Sequence, residues 1–257
     1  MKRIRVMIIV SLVALLPLAC MAAKKDDDRV QVLETKVAAL EAELNERLAA
    51  MEALLDQKID AAVQEIANRE QNATKAFQEI AGLVSKGQHT DAKVKMDAFN
   101  AKYAGTEAAR KGASMGKELA VIGKKAPAEM AVQKWFAGEG EVTSLNGPGL
   151  TLVAFWEEWC PHCKREVPNL KSTYDNLHSQ GLNIIAFTQV NKSSTDDKVA
   201  AFVQQHELTF PVAKESGKIK NHFNVSGIPA AAVIKDGVVV WRGHPARLSE
   251  TILKQWL

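Results

Sequence analysis

Residues 150–164 read LTLVAFWEEWCPHCK, and this stretch decides how the rest of the chain is interpreted. The apolar run 150–156 is short and uninterrupted, which is typical of a buried strand. From 164 to 177 apolar side chains recur at helical spacing, so we predict a strand, a turn and a helix. Cys160 then lies at the start of that helix, where free backbone N–H groups and the helix dipole favour a thiolate.

The two cysteines of this stretch form a candidate redox pair. A thiolate is the species that attacks disulfides, so we interpret Cys160 as the nucleophile and Cys163 as the resolving thiol. Pro161 sets φ for the first helical turn. His162 beside the thiolate would stabilise the reduced form and make the disulfide a stronger oxidant. The alternative for His162 is a solvated surface side chain that couples weakly to its neighbours.

Metal binding is the other chemistry open to such a pair. The chain has 3 cysteines, whereas a structural zinc site needs four ligands, usually from two CxxC pairs. The alternative function is a coiled-coil scaffold or a copper or zinc carrier, in which His162 joins the two sulfurs or the pair is regulatory. The sequence otherwise predicts no cofactor and no resident metal. A net charge of +3 without a concentrated basic patch predicts no nucleic-acid binding.

The segment from about Ile122 to Leu257 resembles the thioredoxin superfamily, and within it the TlpA-like redoxins. The resemblance implies a central mixed sheet flanked by helices, with a cis peptide at Ile228-Pro229 that faces the two sulfurs. We place Trp159, Ile228 and Pro229 toward the substrate. The Cys-Pro-His-Cys motif itself resembles that of the strongly oxidising periplasmic Dsb oxidases. The matching stretches are GKKAP at 123–127, FWEEWCPHCK at 155–164, EVP at 166–168, VSGIP at 225–229 and KDG at 235–237.

One position departs from the family pattern. Cytosolic thioredoxins have a buried aspartate where this sequence has Ala154, and that acid helps to deprotonate the resolving cysteine. Its absence argues against a dedicated general reductase. Glu157 and Glu158 are candidates to replace it, although a charged pair before a tryptophan is more often solvated surface.

The remaining elements of the predicted domain follow from the sequence pattern. Residues 184–188 form a second buried strand, and Asp196 to Gln205 form a short helix with Ser193, Ser194 or Thr195 as its N-cap. Residues 230–234 and 238–242 form a hairpin, and Leu248 to Leu257 form an amphipathic helix. The predicted fold class is α/β: a thioredoxin-like mixed sheet flanked by helices over 120–257, preceded by a long N-terminal helical stalk.

The N-terminus predicts export from the cytoplasm. A positive region at Lys2, Arg3 and Arg5 precedes an apolar stretch over 6–19 that is too short to span a bilayer unaided. Residues 1–22 are therefore a predicted signal peptide, or 1–19 if Cys20 is lipidated as the end of a bacterial lipobox. We expect the protein in the periplasm or cell envelope, where disulfides persist, with lipid anchoring at Cys20 as one alternative.

The residues between the signal and the redox domain predict a coiled-coil helix over 28–84. From Val30 to Ile66 apolar residues recur every three or four positions, and a lone helix could not bury such a stripe. We expect a homo-oligomer formed through residues 30–66; the alternative is an antiparallel helical hairpin against residues 91–103. Gly82, Gly87, Gly105, Gly112 and Gly116 punctuate residues 82–119, so we expect a semi-flexible helical neck over 85–119.

These predictions combine into one functional hypothesis. The chain is an envelope thiol–disulfide oxidoreductase that acts on the thiols and disulfides of secreted or periplasmic proteins, with a membrane redox partner. The direction stays open. The TlpA-like resemblance favours reduction, His162 favours oxidation, and an oligomeric stalk favours isomerisation because several heads around one cavity raise the effective concentration.

Overall fold

The computed structural model describes residues 24–191 and 193–257, so the predicted signal segment and Cys20 lie outside the described residues. The chain divides after Glu65 into two compact units. Helix α1 spans Lys24–Ser85 and contributes to both. No helix within the described residues is both long enough and apolar enough to cross a membrane.

The first unit consists of helix α1 up to Glu65. The helix is continuous because residues 30–66 contain neither glycine nor proline. Its large apolar side chains are at least 42% exposed, which leaves the periodic stripe on the helix surface. The large side chains of the stripe are Val30, Leu33, Val37, Leu40, Leu44, Leu48, Met51, Leu55, Ile59 and Ile66, and Val32, Leu54 and Val63 are exposed beside it.

The second unit begins with three packed helices. The end of α1 is followed by α2 (His89–Tyr103) and α3 (Glu107–Leu119). Their buried side chains belong to the same hydrophobic cluster as strand residues of the sheet. This differs from the expected semi-flexible neck over 85–119. The helical members of the cluster are Ala73, Ile80, Ala92, Met96, Phe99, Ala108 and Leu119.

The glycines of this segment explain the difference. Gly87 (φ +77°) and Gly105 (φ +84°) lie in the two tight turns that join the helices, in the left-handed region that glycine adopts at little cost. A Cβ on Gly112 would lie 2.7 Å from the ring of Phe77, so this glycine permits close helix contact. These residues therefore serve turns and packing, and the sequence pattern alone does not distinguish that role from flexibility.

A six-stranded mixed sheet forms the centre of the second unit, as the predicted fold class requires. The spatial order is β1-β4-β3-β2-β5-β6. Strand β2 pairs in parallel with β3 and antiparallel with β5, while β3–β4 is parallel and the two outer pairs are antiparallel. The strands are β1 (Val132–Ala137), β2 (Leu150–Trp156), β3 (Leu182–Thr188), β4 (Val212–Glu215), β5 (Ala230–Lys235) and β6 (Val238–Gly243).

Helices cover both faces of this sheet. Along β2, Val153 and Phe155 join the cluster that contains α1–α3, whereas Leu152 and Trp156 join a second cluster on the other side. This alternation is the two-residue period of a strand that is buried on both faces. The second cluster contains residues of α4 (Pro161–Leu177), α5 (Asp196–Gln205) and α7 (Glu250–Leu253). The short helix α6 spans Lys218–His222.

The predicted helix ends and hairpin are largely confirmed. Helix α5 has the predicted bounds, and the side chain of Thr195 accepts a hydrogen bond from the Lys198 N–H at 3.2 Å as its N-cap. The turn between β5 and β6 contains Asp236 and Gly237, both with positive φ, as a tight hairpin requires. The C-terminal helix is shorter than the predicted 248–257, because it begins only after its cap Ser249 and ends at Leu253.

Candidate active site

Cys160 lies at the junction between β2 and α4, as predicted. It is the residue immediately before the helix, with extended backbone (φ −80°, ψ 116°), and Pro161 occupies the first helical turn. Its N–H donates to the Glu157 carbonyl at 3.1 Å, which fixes the turn. Its side chain therefore lies where the first N–H groups of a 17-residue helix are free of intrahelical partners.

Cys163 lies behind Cys160 in the first turn of α4. Both cysteines are thiols, and Cys163 is fully buried while Cys160 is 5% exposed. Cys160 is therefore the more accessible of the two, as expected. Burial raises the pKa of the Cys163 thiol far above its ordinary value, and a hydrogen bond with Cys160 raises this pKa further. Cys163 thus keeps its proton until a base removes it.

The Ile228-Pro229 peptide is cis, which confirms the prediction, and it lies directly opposite the sulfur of Cys160. The Ile228 carbonyl oxygen is 3.9 Å from Cys160 Sγ. Pro229 is buried and Ile228 is half-buried, whereas the neighbouring Trp159 is 46% exposed. The structure therefore brings together the cysteine pair and the Ile228-Pro229 loop, with an exposed aromatic side chain beside them.

His162 lies on the exposed face of the first turn of α4. Arg165 Nη2 donates a hydrogen bond of 2.7 Å to His162 Nδ1. A guanidinium has no acceptor, so Nδ1 is the acceptor and the ring proton in this arrangement is on Nε2. This contact places the permanent positive charge of Arg165 next to the imidazole. Arg165 was not among the site residues predicted from the sequence. Arg165 is three residues from His162, which is the spacing of side chains on one helical face.

Glu157 is buried beside the cysteine pair, although a charged pair at 157–158 is typical of solvated surface. It is 3% exposed, and its carboxylate accepts hydrogen bonds from Thr188 Oγ1 and from the Gln189 N–H, both at 3.2 Å. Burial raises its pKa from the ordinary 4.5 to about 7, while these two hydrogen bonds and Lys220 act in the opposite direction. Its negative charge also contributes to the raised pKa of Cys163.

Strand register explains why the two glutamates are buried. Trp156 is paired with Thr188 across the parallel β2–β3 ladder, so the residue after β2 reaches the end of β3. Glu158 is 7% exposed and accepts a hydrogen bond of 2.7 Å from Ser194 Oγ. The sequence predicted both strands, but not the pairing that brings Glu157 and Glu158 to the end of β3. What the sequence did not supply was the polar partners that satisfy the carboxylates there.

Across residues 24–191 and 193–257, no three histidine, cysteine, aspartate or glutamate side chains lie together as a metal ion would require.

Known proteins resemble the part of the chain that contains this site. The AhpC/TSA family matches residues 122–242. The thiol-disulfide oxidoreductase ResA of Bacillus cereus is 36% identical over 126 residues, which cover 48% of this chain and 70% of that protein. The chain belongs to the ResA-like thiol-disulfide oxidoreductase family. Its redox chemistry is therefore that of a thioredoxin-fold disulfide oxidoreductase.

Two other similar proteins also match about half of this chain. Sporulation thiol-disulfide oxidoreductase A of Bacillus subtilis is 29% identical over 135 residues, which are 52% of this chain and 82% of that protein. The crystal structure of StoA from Bacillus subtilis is 30% identical, covers 51% of this chain and 98% of its own, and gives a TM-score of 0.42. The family match begins at Ile122, so helices α1–α3 precede it.

Proposed function

We propose that this chain exchanges disulfides with exported protein substrates through Cys160 and Cys163. The observation that carries the proposal is the arrangement of the two sulfurs. Cys160 is at the mouth of α4 and 3.9 Å from the Ile228 carbonyl, while Cys163 is fully buried behind it. This asymmetry gives the accessible sulfur the first attack and the buried sulfur the second.

In the first step, the Cys160 thiolate attacks one sulfur of a substrate disulfide. A Cys160–substrate bond forms, the substrate disulfide breaks, and the second substrate sulfur leaves with the electron pair. The free N–H groups of α4 stabilise negative charge on Cys160 before this attack. Trp159 is 46% exposed and offers an apolar surface for the substrate, and Ile228-Pro229 form the opposite side.

In the second step, Cys163 loses its proton and attacks the Cys160 sulfur, which releases the reduced substrate and leaves the Cys160–Cys163 disulfide. Burial opposes this deprotonation. Glu157 is the buried carboxylate suited to accept the proton, because its pKa of about 7 lies near neutral pH. Glu157 thereby replaces the buried acid that cytosolic thioredoxins have at the position of Ala154. Overall, two electrons pass from the enzyme to the substrate.

The reverse sequence oxidises a substrate dithiol, and the reduction potential of the pair decides which direction prevails. Positive charge near Cys160 stabilises the thiolate and so favours an oxidising potential. We propose that Arg165 supplies this charge and that His162, whose Nδ1 accepts the Arg165 hydrogen bond, positions it near Cys160, while Pro161 fixes the turn. A variant that lacks the imidazole, His162→Ala, is expected to have a more reducing potential.

The compartment and the redox partner follow from the same chemistry. The charged and apolar pattern of residues 1–22 supports export to the periplasm or cell envelope, with lipidation at Cys20 as an alternative anchor. An enzyme that oxidises or reduces many substrates must have its own pair restored. We propose a redox partner in the membrane, which returns the Cys160–Cys163 pair to its starting state.

We further propose that residues 30–66 form a coiled coil between copies of this chain. These 37 residues of α1 extend over about 55 Å at the helical rise of 1.5 Å per residue. The exposed apolar stripe repeats at heptad-like spacing, which a second copy matches along its whole length. Light scattering with and without residues 24–65 tests this proposal, since residues 66–85 belong to the second unit. A monomer in both cases contradicts it.

The test of the enzymatic proposal is activity toward protein disulfides. Insulin reduction and refolding of scrambled ribonuclease are measured for the wild type, Cys160→Ser and Cys163→Ser. We expect the first variant to lose both activities and the second to accumulate a mixed disulfide. Full activity of Cys160→Ser would overturn the enzymatic proposal and leave the scaffold or metal-carrier alternative.

A further inference from the structure

A cavity of about 280 Å³ lies between helix α3 and the loop that carries Pro229. Ile228 and Pro229 line one side of it, and the end of β6 lines the floor. Ile228 lines the cavity and its carbonyl oxygen is 3.9 Å from Cys160 Sγ, so a single residue separates the cavity from the reactive sulfur, which does not itself line it. The cavity is within reach of a peptide in disulfide linkage with Cys160, for a residue one or two positions from its cysteine, because an extended residue advances about 3.3 Å.

The wall opposite Pro229 comes from α3, which precedes the region matched by the AhpC/TSA family. Two contacts hold this wall against the redox domain. Arg247 forms an ion pair of 2.8 Å with Glu118, and the Asn224 side chain donates to the Lys117 carbonyl at 3.3 Å. Leu119 is buried in the core shared with the sheet. The wall is therefore a fixed part of the second unit.

The cavity has an excess of positive charge. Arg242 is only 7% exposed, and its Nε and Nη1 donate to the carbonyl oxygens of Phe223 and Gly243 at 3.0 and 3.1 Å. Both acceptors are neutral, so the guanidinium charge is left without a direct counter-ion. Glu118 also lines the cavity and acts on Arg242 through space, but its carboxylate forms an ion pair with Arg247.

Lys117 adds a second cation to the cavity. It lines the wall of the cavity, and among residues 24–191 and 193–257 no carboxylate forms an ion pair with it. Burial lowers the pKa of Arg242, in keeping with a cation that has lost most of its water. A partly desolvated cation is stabilised most by a carboxylate that enters beside it.

We propose that this cavity binds an acidic side chain next to the reactive cysteine of a protein substrate. The proposal rests on the thiol–disulfide exchange proposed above and adds the class of sequence that the enzyme prefers. Helix α3 is then part of the substrate site. Selection by charge near the cysteine gives specificity to a site whose reacting atoms are the same in every disulfide.

The experiment compares two disulfide-linked peptides that differ only in an aspartate or a lysine two residues from the cysteine. The full chain is tested as wild type, Lys117→Glu and Lys111→Glu. Lys111 is the matched control because it is on the same helix, 72% exposed, paired with Glu107, and absent from the cavity lining. Arg242 is left intact, because removal of a buried cation threatens folding.

We expect the wild type to react about fivefold faster with the aspartate peptide at low salt, as a half-exposed ion pair allows, and the preference to shrink as salt is raised. Lys117→Glu should abolish or reverse the preference, whereas Lys111→Glu should retain it. Equal rates for the two peptides at low salt, or the same loss of preference in both variants, would overturn the proposal.

Reaction with hydroxyethyl disulfide separates failure of this proposal from failure of the proposed function. This small neutral disulfide needs Cys160 but carries no charge to select. If the wild type reacts with it and treats the two peptides alike, only the charge preference is overturned. If the wild type does not react with it at all, both the exchange chemistry and the charge preference are overturned.

Discussion

Replacement of Glu157 by glutamine is the perturbation for which the structure makes the sharpest quantitative prediction. The folded-state pKa of this buried carboxyl is about 7, against an ordinary value of 4.5. Between these two pH values the folded chain holds a proton that the unfolded chain has released. The free energy of unfolding of the wild type therefore falls as the pH rises from about 4.5 to 7, and Glu157→Gln removes this contribution.

The difference between the two pKa values corresponds to about 3 kcal/mol, at 1.36 kcal/mol for each pH unit. The hydrogen bonds from Thr188 and Gln189 already act on this pKa, and screening by nearby solvent reduces the difference by about 1 kcal/mol. We therefore expect Glu157→Gln to be more stable than the wild type by about 2 kcal/mol at pH 8, from the balance of these terms. At pH 4, where the carboxyl is protonated in both states, that advantage should vanish.

Urea unfolding at pH intervals from 4 to 8 measures this prediction directly. Glu158→Gln is the matched control, because it alters an adjacent buried carboxyl that bonds to Ser194. This control should keep most of the dependence on pH that Glu157 produces, because Glu158 contributes least to the raised pKa of Glu157. If Glu157→Gln and the wild type show parallel stability curves from pH 4.5 to 7, the buried titrating carboxyl is refuted. In single-turnover experiments the same variant should release substrate about 10²-fold more slowly at pH 7, as expected for loss of a general base.

Three further predictions concern the fold and the redox potential. Gly237→Ala should lower the free energy of unfolding by more than 1 kcal/mol, because φ is +77° and the new Cβ would lie 2.7 Å from Asn146 Oδ1. The control Gly147→Ala, at a position with open space, should be neutral. Equal urea midpoints for the two variants would contradict this prediction. Phe99→Ala should lower the free energy of unfolding by about 3 kcal/mol or more, since the centroid of its ring is 5.9 Å from that of Phe77. The control Val94→Ala, at an exposed position, should change it little. A negligible change in both variants would mean that α2 is only loosely attached. Arg165→Ala should make the reduction potential of the Cys160–Cys163 pair more reducing in a glutathione titration, because it removes a cation near the thiolate. An unchanged potential would contradict an influence of the Arg165–His162 hydrogen bond on the cysteine pair.

The elements nearest the cysteine pair were predictable from the sequence because each has a local signal. The uninterrupted apolar run 150–156 became β2 and the KDG turn at 235–237 became the β5–β6 turn. Strands β1 and β4 have no such signal. They form one edge of the sheet, and Lys134 and Lys214 interrupt their apolar character. Pairing across the sheet stabilises them, so their position depends on tertiary structure.

The active site likewise combines features with a local sequence signal and features that depend on tertiary structure. The spacing of the cysteines and the helix start predicted Cys160 and Cys163 in their relative positions, and the resemblance to thioredoxins supplied the cis peptide at Pro229. Burial of Glu157 could not be predicted from its neighbours in sequence, because its hydrogen-bond partners lie more than 30 residues away. The cavity beside α3 depends on long-range packing of a segment that the sequence pattern presents as a neck.

Trapping of the mixed disulfide tests the central claim most directly. Cys163→Ser is incubated with a disulfide-linked peptide, quenched in acid and mapped by mass spectrometry without reductant. We expect one peptide adduct, on Cys160, that persists in the variant and is short-lived in the wild type. An adduct that is absent from Cys160, or one that the wild type and the variant release at the same rate, would contradict the claim that Cys160 attacks and Cys163 resolves.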